Sequence, residues 1–409
     1  MNLKKIHQIL KDTDFVHTSG TPEELRVAEY LRDEAEALGA KAYLEPFAVD
    51  MAEVHSATLL ADGKEIPCKG YKLCGSGEIE APFIYLPNTD PVSLASVKGK
   101  IVLLDGGLRY FVYQDLLDNG AVGFITYDGN VNFRDNDIDA KELRGFVAQG
   151  RKALAVNINA KEAVKLVKNG TKTVKISIQQ TEMAGESHNV IAELPGTSDE
   201  WIVLTAHYDT VPLSRGSYDN MSGCIGLLEV LEAMKAAAPH RYGLRFVFCG
   251  SEERGLLGSK AYVAAHEAEL EKIALNINLD MIGSIMGRFI ACVSAEEALV
   301  NFITYFAGAR GWGINARTGV YSSDSTPFAD KGVPALSFAR LAPPSQSSIH
   351  NRYDTMAILS EEQLRKDGEF IAAFTTVMAD APKCPVKREI PDKVKGELDE
   401  YLNRKRGNK

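Results

Sequence analysis

The sequence predicts an α/β fold, a mainly parallel central sheet flanked by helices, with an inserted smaller β-rich domain. Three observations lead there. Past Gly185, apolar runs of strand length alternate with stretches of helical periodicity, the pattern of a sheet covered on both faces. Between about Val49 and Met183 the texture changes to short alternating strands and glycine turns, which marks an insertion. Finally, 409 residues with 45% hydrophobic content are enough to bury the core of a large domain plus a smaller one. The expected division is a main domain at 1–48 and 184–383, the insertion at 49–183 and a charged tail at 384–409.

The elements follow in order. Ile6, Ile9 and Leu10 are spaced for one buried helix face. A second helix runs from Pro22 through Leu38, with Thr21 as N-cap, Glu24 three residues on and Gly39 just past its end. In the insertion, Lys100 to Asp105 (KIVLLD) and Val122 to Tyr127 (VGFITY) read as buried strands, with Tyr110 to Asn119 as the helix between them. In the main domain, strands are predicted at Val190–Leu194, Trp201–Ala206, Leu244–Cys249, Ala274–Leu279, Phe289–Val293 and Pro334–Phe338. Helices are predicted at Met221–Ala237, Ser259–Ile273, Glu296–Arg310 and Ser360–Ala379. The tail, amphipathic at Val394, Leu398 and Leu402, is expected to be a surface helix or a contact in a homo-oligomer.

Composition removes several classes of function. A net charge of −9 makes the electrostatics of nucleic-acid binding repulsive overall. No stretch has transmembrane length, and Lys11, Asp12 and Asp14 interrupt the N-terminal segment too early for a signal peptide. Six cysteines without CxxC spacing read as a reduced set. The expectation is a soluble cytoplasmic protein with no membrane or nucleic-acid partner.

The chemistry gathers at the ends of the predicted strands. After Trp201–Ala206 comes His207, and two residues on Asp209, spaced to accept a hydrogen bond from the histidine's second ring nitrogen. Across a Pro/Gly/Ser-rich loop lies Asp219 in SYDNMSG. Glu252 and Glu253 follow Leu244–Cys249, Asp280 follows Ala274–Leu279, and His350 sits in the loop after the last strand. A doubly wound sheet brings strand carboxyl ends to one edge, where ligands bind. Two histidines and four carboxylates there make one ligand set for two divalent ions sharing a bridging carboxylate, with one carboxylate left to act as base. Taken singly, each residue has an ordinary reading as a cap, a turn or a solvated acid. Together they would repel one another without a cation.

In order, HYDT, YDNMSG, SEERGLLGS, NLDMIG, SSDSTPF with GVPALSF, and IHNRYDT resemble the M28 family of co-catalytic zinc aminopeptidases across residues 186–382. VKGKIVLLDGG and DNGAVGFITYDG resemble a protease-associated (PA) domain. The first resemblance implies a zinc-exopeptidase-like fold and two zinc ions. By that resemblance His207, Asp219 and Glu253 hold one zinc, while Asp219, Asp280 and His350 hold the other. It also implies that Asp219 bridges, that the Asp219–Asn220 peptide is cis, and that Glu252 is the general base. Adjacent glutamates are not told apart by the residues themselves. Tyr321 is the candidate oxyanion donor. Ser325 stands where many relatives have histidine or tyrosine, and Ser323 and Asp324 read as pocket residues or a helix N-cap.

The expected activity is release of an N-terminal residue from peptides with a free N-terminus. Alternatives are an M28 carboxypeptidase, a single-zinc glutaminyl cyclase, an amidohydrolase with an HxDxVP stretch, or an inactive binding protein of the same fold. Retention of every ligand position argues against the last. Met281, Ile282, Phe328 and Leu341 are candidates for an S1 pocket or for plain core.

Overall fold

The computed structural model describes residues 1–132, 138–344 and 346–406, so the last three residues of the tail lie outside it. The chain divides into two compact units, Met1–Val49 with Glu186–Lys409, and Asp50–Gly185. It opens with α1 (Leu3–Asp12), α2 (Pro22–Ala37) and β1 (Lys41–Ala61). Then come β2 (Lys64–Ile66), β3 (Lys69–Gly70), β4 (Gly77–Leu86), α3 (Pro91–Leu94), β5 (Ile101–Asp105), α4 (Tyr110–Asp118) and β6 (Gly123–Asp128). After these follow α5 (Gly145–Ala148), β7 (Ala155–Asn159), α6 (Ala160–Lys168), β8 (Thr173–Leu194), β9 (Trp201–His207), α7 (Ser222–Ala237) and β10 (Gly243–Cys249). The remainder is α8 (Leu257–Ala265), β11 (Ile273–Leu279), β12 (Arg288–Ser294), α9 (Glu297–Ala309), β13 (Asn315–Thr318), α10 (Ser325–Asp330), β14 (Ala335–Leu341), α11 (Glu361–Asp380) and α12 (Asp392–Tyr401).

In the first unit the sheet order is β13-β12-β14-β11-β9-β10-β8. The four strands that carry the site's neighbourhood, β14, β11, β9 and β10, are mutually parallel. β12 against β14 and β10 against β8 are antiparallel. β9 is central and its residues 202–207 are all buried, which is why they form an unbroken apolar run rather than an alternation. The core on one face joins Leu204, Phe246 and Ile277 of the sheet to Leu227, Leu228 and Leu231 of α7 and to Phe370 and Phe374 of α11. A smaller core on the other face joins Val203 and Val247 to Tyr262 of α8, Phe328 of α10 and Leu398 of α12. A mixed α/β sheet with helices on both faces is therefore present.

The second unit differs from the expected texture of short strands. β1 and β8 are long ribbons: Lys41–Ala61 contains no glycine and its single Pro46 does not end it, and β8 runs on through Gly185. The centre of this unit is itself parallel, in the order β4-β5-β6-β7, with its own buried cluster around Val102, Leu103, Phe124, Ile125 and Val156. It contains α4 and α6 and is α/β rather than purely β.

Three departures occur in the first unit. β13 (NART) is four residues without a buried side chain, and α10 is six residues containing Pro327, so neither carries a periodic signal. The helix predicted at Ser259–Ile273 ends as α8 at Ala265, where His266 leaves helical geometry, and a 3₁₀ turn covers Glu267–Lys272. The tail helix α12 buries Val394 and Leu398 in the core that also holds Phe328 and Ala329, while Leu402 keeps partial exposure.

Candidate metal centre

Parallel pairing puts the site residues on one edge. His207 closes β9, in register with Cys249 at the end of β10, and Asp280 follows directly on β11, the neighbour of β9 on the other side. A tight 3₁₀ turn after β10, entered through Ser251 at φ 56 and left through Gly255 at φ 111, presents Glu252 and Glu253. His350 arrives from the loop after β14, itself at φ 59 and with a side chain 56% exposed, while the other members are nearly buried.

Asp219 lies at the centre, and its two carboxylate oxygens face different histidines. Oδ1 is 3.0 Å from His207 Nε2 and Oδ2 is 3.1 Å from His350 Nε2. The donor atoms form two overlapping triads, His207–Asp219–Asp280 and Asp219–Glu253–His350, with all atoms of each within 4.8 Å of one another. His350 Nε2 is 3.2 Å from Glu253 Oε2, and His207 Nε2 is 4.0 Å from Asp280 Oδ1. This grouping corrects the expected one, in which Glu253 joined His207 and Asp280 joined His350. The reason is the loop after β14, which carries His350 past Asp280, at the end of the neighbouring strand β11, to Glu253 beyond β10, and so leaves Asp280 to His207.

The backbone of Asp219 is held from two sides. Asp354, 2% exposed, accepts the N–H of Tyr218 at 2.9 Å and of Asp219 at 3.1 Å. Asn220 Oδ1 accepts the N–H of Gly223 and of Met281, and its Nδ2 donates to the Leu279 carbonyl, tying the Asp219 turn to the strand end that bears Asp280. The Asp219–Asn220 peptide is cis. Gly223 is required by this approach, since a Cβ there would lie 2.4 Å from Asn220 Oδ1 and 2.5 Å from the Leu279 carbonyl. The sequence reading missed Asp354 and Asn220. The available signals were Asn220 three residues before a glycine at a helix start, and an aspartate four residues after His350.

Asp209 does more than orient His207. Its carboxylate accepts the N–H of Glu252 at 2.7 Å and of Glu253 at 3.2 Å, anchoring the glutamate turn from the end of the neighbouring strand. The second nitrogen of His207, Nδ1, is 3.3 Å from the Asp209 carbonyl and 3.6 Å from its carboxylate. Glu252 Oε2 is 3.9 Å from His207 Nε2, at the cluster yet in neither triad.

The electrostatics ask for cations. Burial first, then Asp324, Asp280 and Asp209, push Glu252 well above the carboxylate range, and burial with Asp219 and Glu252 does the same to Glu253. Asp280 is raised to about 7 by burial and by Asp219. Burial favours neutral His207, but Glu252, Asp209 and Asp219 overcome it and hold its pKa well above the ordinary imidazole value. Asp219 alone moves down, its burial outweighed by hydrogen bonds from both histidines. Buried carboxylates that must take up protons to coexist are a site for metal charge. Among the described residues Asp280 Oδ1 is buried with no hydrogen-bond partner, an open donor of the type a divalent ion takes. The carboxylate and imidazole set fits two such ions, with Asp219 common to both.

Tyr321 has its hydroxyl buried and without a hydrogen-bond partner among the described residues; burial and the Asp280 and Asp219 carboxylates raise its pKa well above that of an ordinary phenol. Asp324 sits at the N-cap position of α10 but makes no cap bond; its Oδ1 accepts from Ser259 Oγ at 2.5 Å. Ser323 Oγ accepts from Asn278, and Ser325 Oγ pairs with Ser337 Oγ at 2.8 Å, both buried. Ile282 and Phe328 are fully buried core, while Met281 and Leu341 keep partial exposure.

The sheet edge thus carries two acid–histidine triads that share one aspartate, a donor set suited to divalent metal ions. Residues 189–375 match the model of peptidase family M28. It is 28% identical over 293 residues to aminopeptidase YwaD of Bacillus subtilis, covering 68% of this chain and 62% of that protein, so it spans less than two thirds of this curated relative. The fold matches BSAP, a zinc aminopeptidase from Bacillus subtilis, with a TM-score of 0.76 at 24% identity over 96% of this chain and 97% of that one. It also matches an aminopeptidase from Aneurinibacillus sp. with a TM-score of 0.75 at 23% identity, over 94% and 96% of the two chains.

Proposed function

We propose that this protein is a zinc-dependent aminopeptidase that hydrolyses the N-terminal peptide bond of peptides. The observation that carries the reading is Asp219, one carboxylate whose two oxygens serve two separate triads, with Glu252 beside them and outside both. The names of the relatives support the exopeptidase class. His207, Asp219 and Asp280 would hold one ion, and Asp219, Glu253 and His350 the other. Bound there, the pair supplies a water with pKa lowered to about 7 and a Lewis acid for the scissile carbonyl.

The remaining work falls to the chain. Glu252, with a side chain 11% exposed and its backbone anchored by Asp209, takes the proton from the attacking water and passes it to the leaving amine. Asp209 positions both Glu252 and Glu253 through their N–H groups. Tyr321 donates its unpaired hydroxyl to the developing oxyanion. His207 and His350 each turn Nε2 toward one oxygen of Asp219, the atoms through which they would share an ion with it.

We assign 50–185 to a protease-associated-like insertion, on the motifs that form β5 and β6. We place the protein in the cytoplasm; its six free thiols support this. Among the described residues no helix is long and apolar enough to cross a membrane.

The test is a panel of amino-acid 4-nitroanilides with free and with acetylated N-termini. Hydrolysis confined to the free series supports the aminopeptidase. Equal rates on blocked substrates would transfer the site to another M28 activity.

A further inference from the structure

α12 falls outside residues 189–375, the part of the chain that matches the family, and yet two of its residues contact the segment bearing Tyr321, and Arg404 just beyond it reaches the end of α10. Glu397 Oε2 accepts the backbone N–H of Val320 at 3.0 Å. Ser322 Oγ donates to the Tyr401 hydroxyl at 2.8 Å. Arg404, just past the helix, forks onto both oxygens of Asp330 at 2.6 and 2.7 Å, at the end of α10. The contacts thus bracket Tyr321 at positions 320, 322 and 330. Beneath them Val394 and Leu398 pack with Phe328 and Ala329 of α10, and Val320 lies against the same cluster.

The bracket matters because of what Tyr321 lacks. Its hydroxyl is buried with no hydrogen-bond partner among the described residues, so its aim is set by backbone and packing alone. The connector between β13 and α10 is short of backbone support. Gly319 N–H reaches the Val293 carbonyl at 3.0 Å, and the Tyr321 carbonyl takes Ser323 N–H at 2.8 Å and Thr326 Oγ1 at 2.9 Å. The N–H of Val320 goes to Glu397. Gly319, at φ +150, leaves the room for this: a Cβ there would be 2.7 Å from Arg317 Nη1 and 3.0 Å from Glu397 Oε2.

We propose that α12 is a positioning element of the active site, and that Glu397 is the positioning residue that fixes the 320–322 backbone and through it the direction of the Tyr321 hydroxyl. The inference rests on the reading of Tyr321 as oxyanion donor. A hydrogen bond from a backbone N–H to a carboxylate is among the stronger kinds, so one such contact suffices to hold a short connector.

The test is a double-mutant cycle on the full-length, zinc-loaded protein with an unblocked amino-acid 4-nitroanilide. Tyr321→Phe is expected to lower kcat about 100-fold with little change in KM. Glu397→Ala is expected to lower kcat about 10-fold with KM, metal content and Tm nearly unchanged, and to add nothing in the Tyr321→Phe background. Glu397→Gln, which keeps an acceptor oxygen, should restore kcat to within about 3-fold of wild type. Should Glu397→Ala not fold, Tyr401→Phe takes its place in the cycle, with a smaller loss in the same direction. Wild-type kcat in Glu397→Ala, or an equal loss in both backgrounds, overturns the brace while leaving the aminopeptidase intact. Wild-type kcat in Tyr321→Phe removes the donor reading and the brace with it.

Discussion

Glu24 offers a prediction whose size follows from the structure. It is the third residue of α2 and accepts the Gly20 N–H at 2.6 Å, yet it is also 1% exposed and takes hydrogen bonds from Ser187 Oγ at 2.8 Å and Ser251 Oγ at 3.4 Å. Burial, and then Asp209, raise its pKa from 4.5 to about 8. A folded-state value above the unfolded one means that the native protein keeps a proton the unfolded chain releases. The stabilisation is complete below about pH 4.5 and is lost as pH rises through about 8. A gap of about 3.5 units at about 1.4 kcal/mol each puts the full loss near 5 kcal/mol. Glu24→Gln is neutral throughout, keeps an acceptor for Gly20 and can donate to the serines. Its stability relative to wild type should therefore rise by about 3 kcal/mol between pH 5 and pH 7.5. The assay is urea unfolding of the metal-free proteins followed by tryptophan fluorescence, since Trp201 and Trp312 both lie in the Met1–Val49/Glu186–Lys409 unit. A difference between the two proteins that does not change with pH refutes the reasoning.

Two further substitutions probe the frame around Asp219. Asp354→Ala removes the acceptor of two buried N–H groups and should weaken zinc binding about 10- to 100-fold in competition with a chelator; unchanged affinity would contradict its role. Gly223→Ala puts a methyl group against backbone and an anchored side chain, and should lower stability by about 1–3 kcal/mol and kcat with it, read from Tm and initial rates. At an exposed helical position the same change would stabilise by about 1 kcal/mol, and such a result would show that the turn can give way.

The residues of the site were legible where they follow a strand. His207 and Asp280 end uniformly apolar runs, and the rule that strand carboxyl ends gather ligands brought them together without knowledge of the sheet order. Their partition between the triads was not legible, because it depends on where the long loop after β14 carries His350, past Asp280 to Glu253, and nothing in local sequence states the path of a loop. Asp354 escaped for a related reason. Its importance comes from reaching backbone N–H groups 135 and 136 residues away, a contact with no periodicity or spacing to announce it. β13 and α10 were missed because they are too short for a period to appear, and the length of β1 and β8 because their exposed residues mask a continuous ribbon. Glu24 was read as the partner of the Thr21 cap; its carboxylate instead takes the Gly20 N–H, one residue before the cap, and is buried beside Ser187 and Ser251, distant in the chain.

The central claim is that two metal ions share Asp219 while Glu252 stands free of both as the base. Elemental analysis of wild type and Glu252→Gln, run beside hydrolysis of an unblocked aminoacyl 4-nitroanilide, tests it most directly. The account predicts two zinc ions per chain in both proteins and loss of activity in Glu252→Gln alone. One ion per chain in wild type, loss of metal on the Glu252→Gln change, or a mutant that still turns over at the wild-type rate would contradict it.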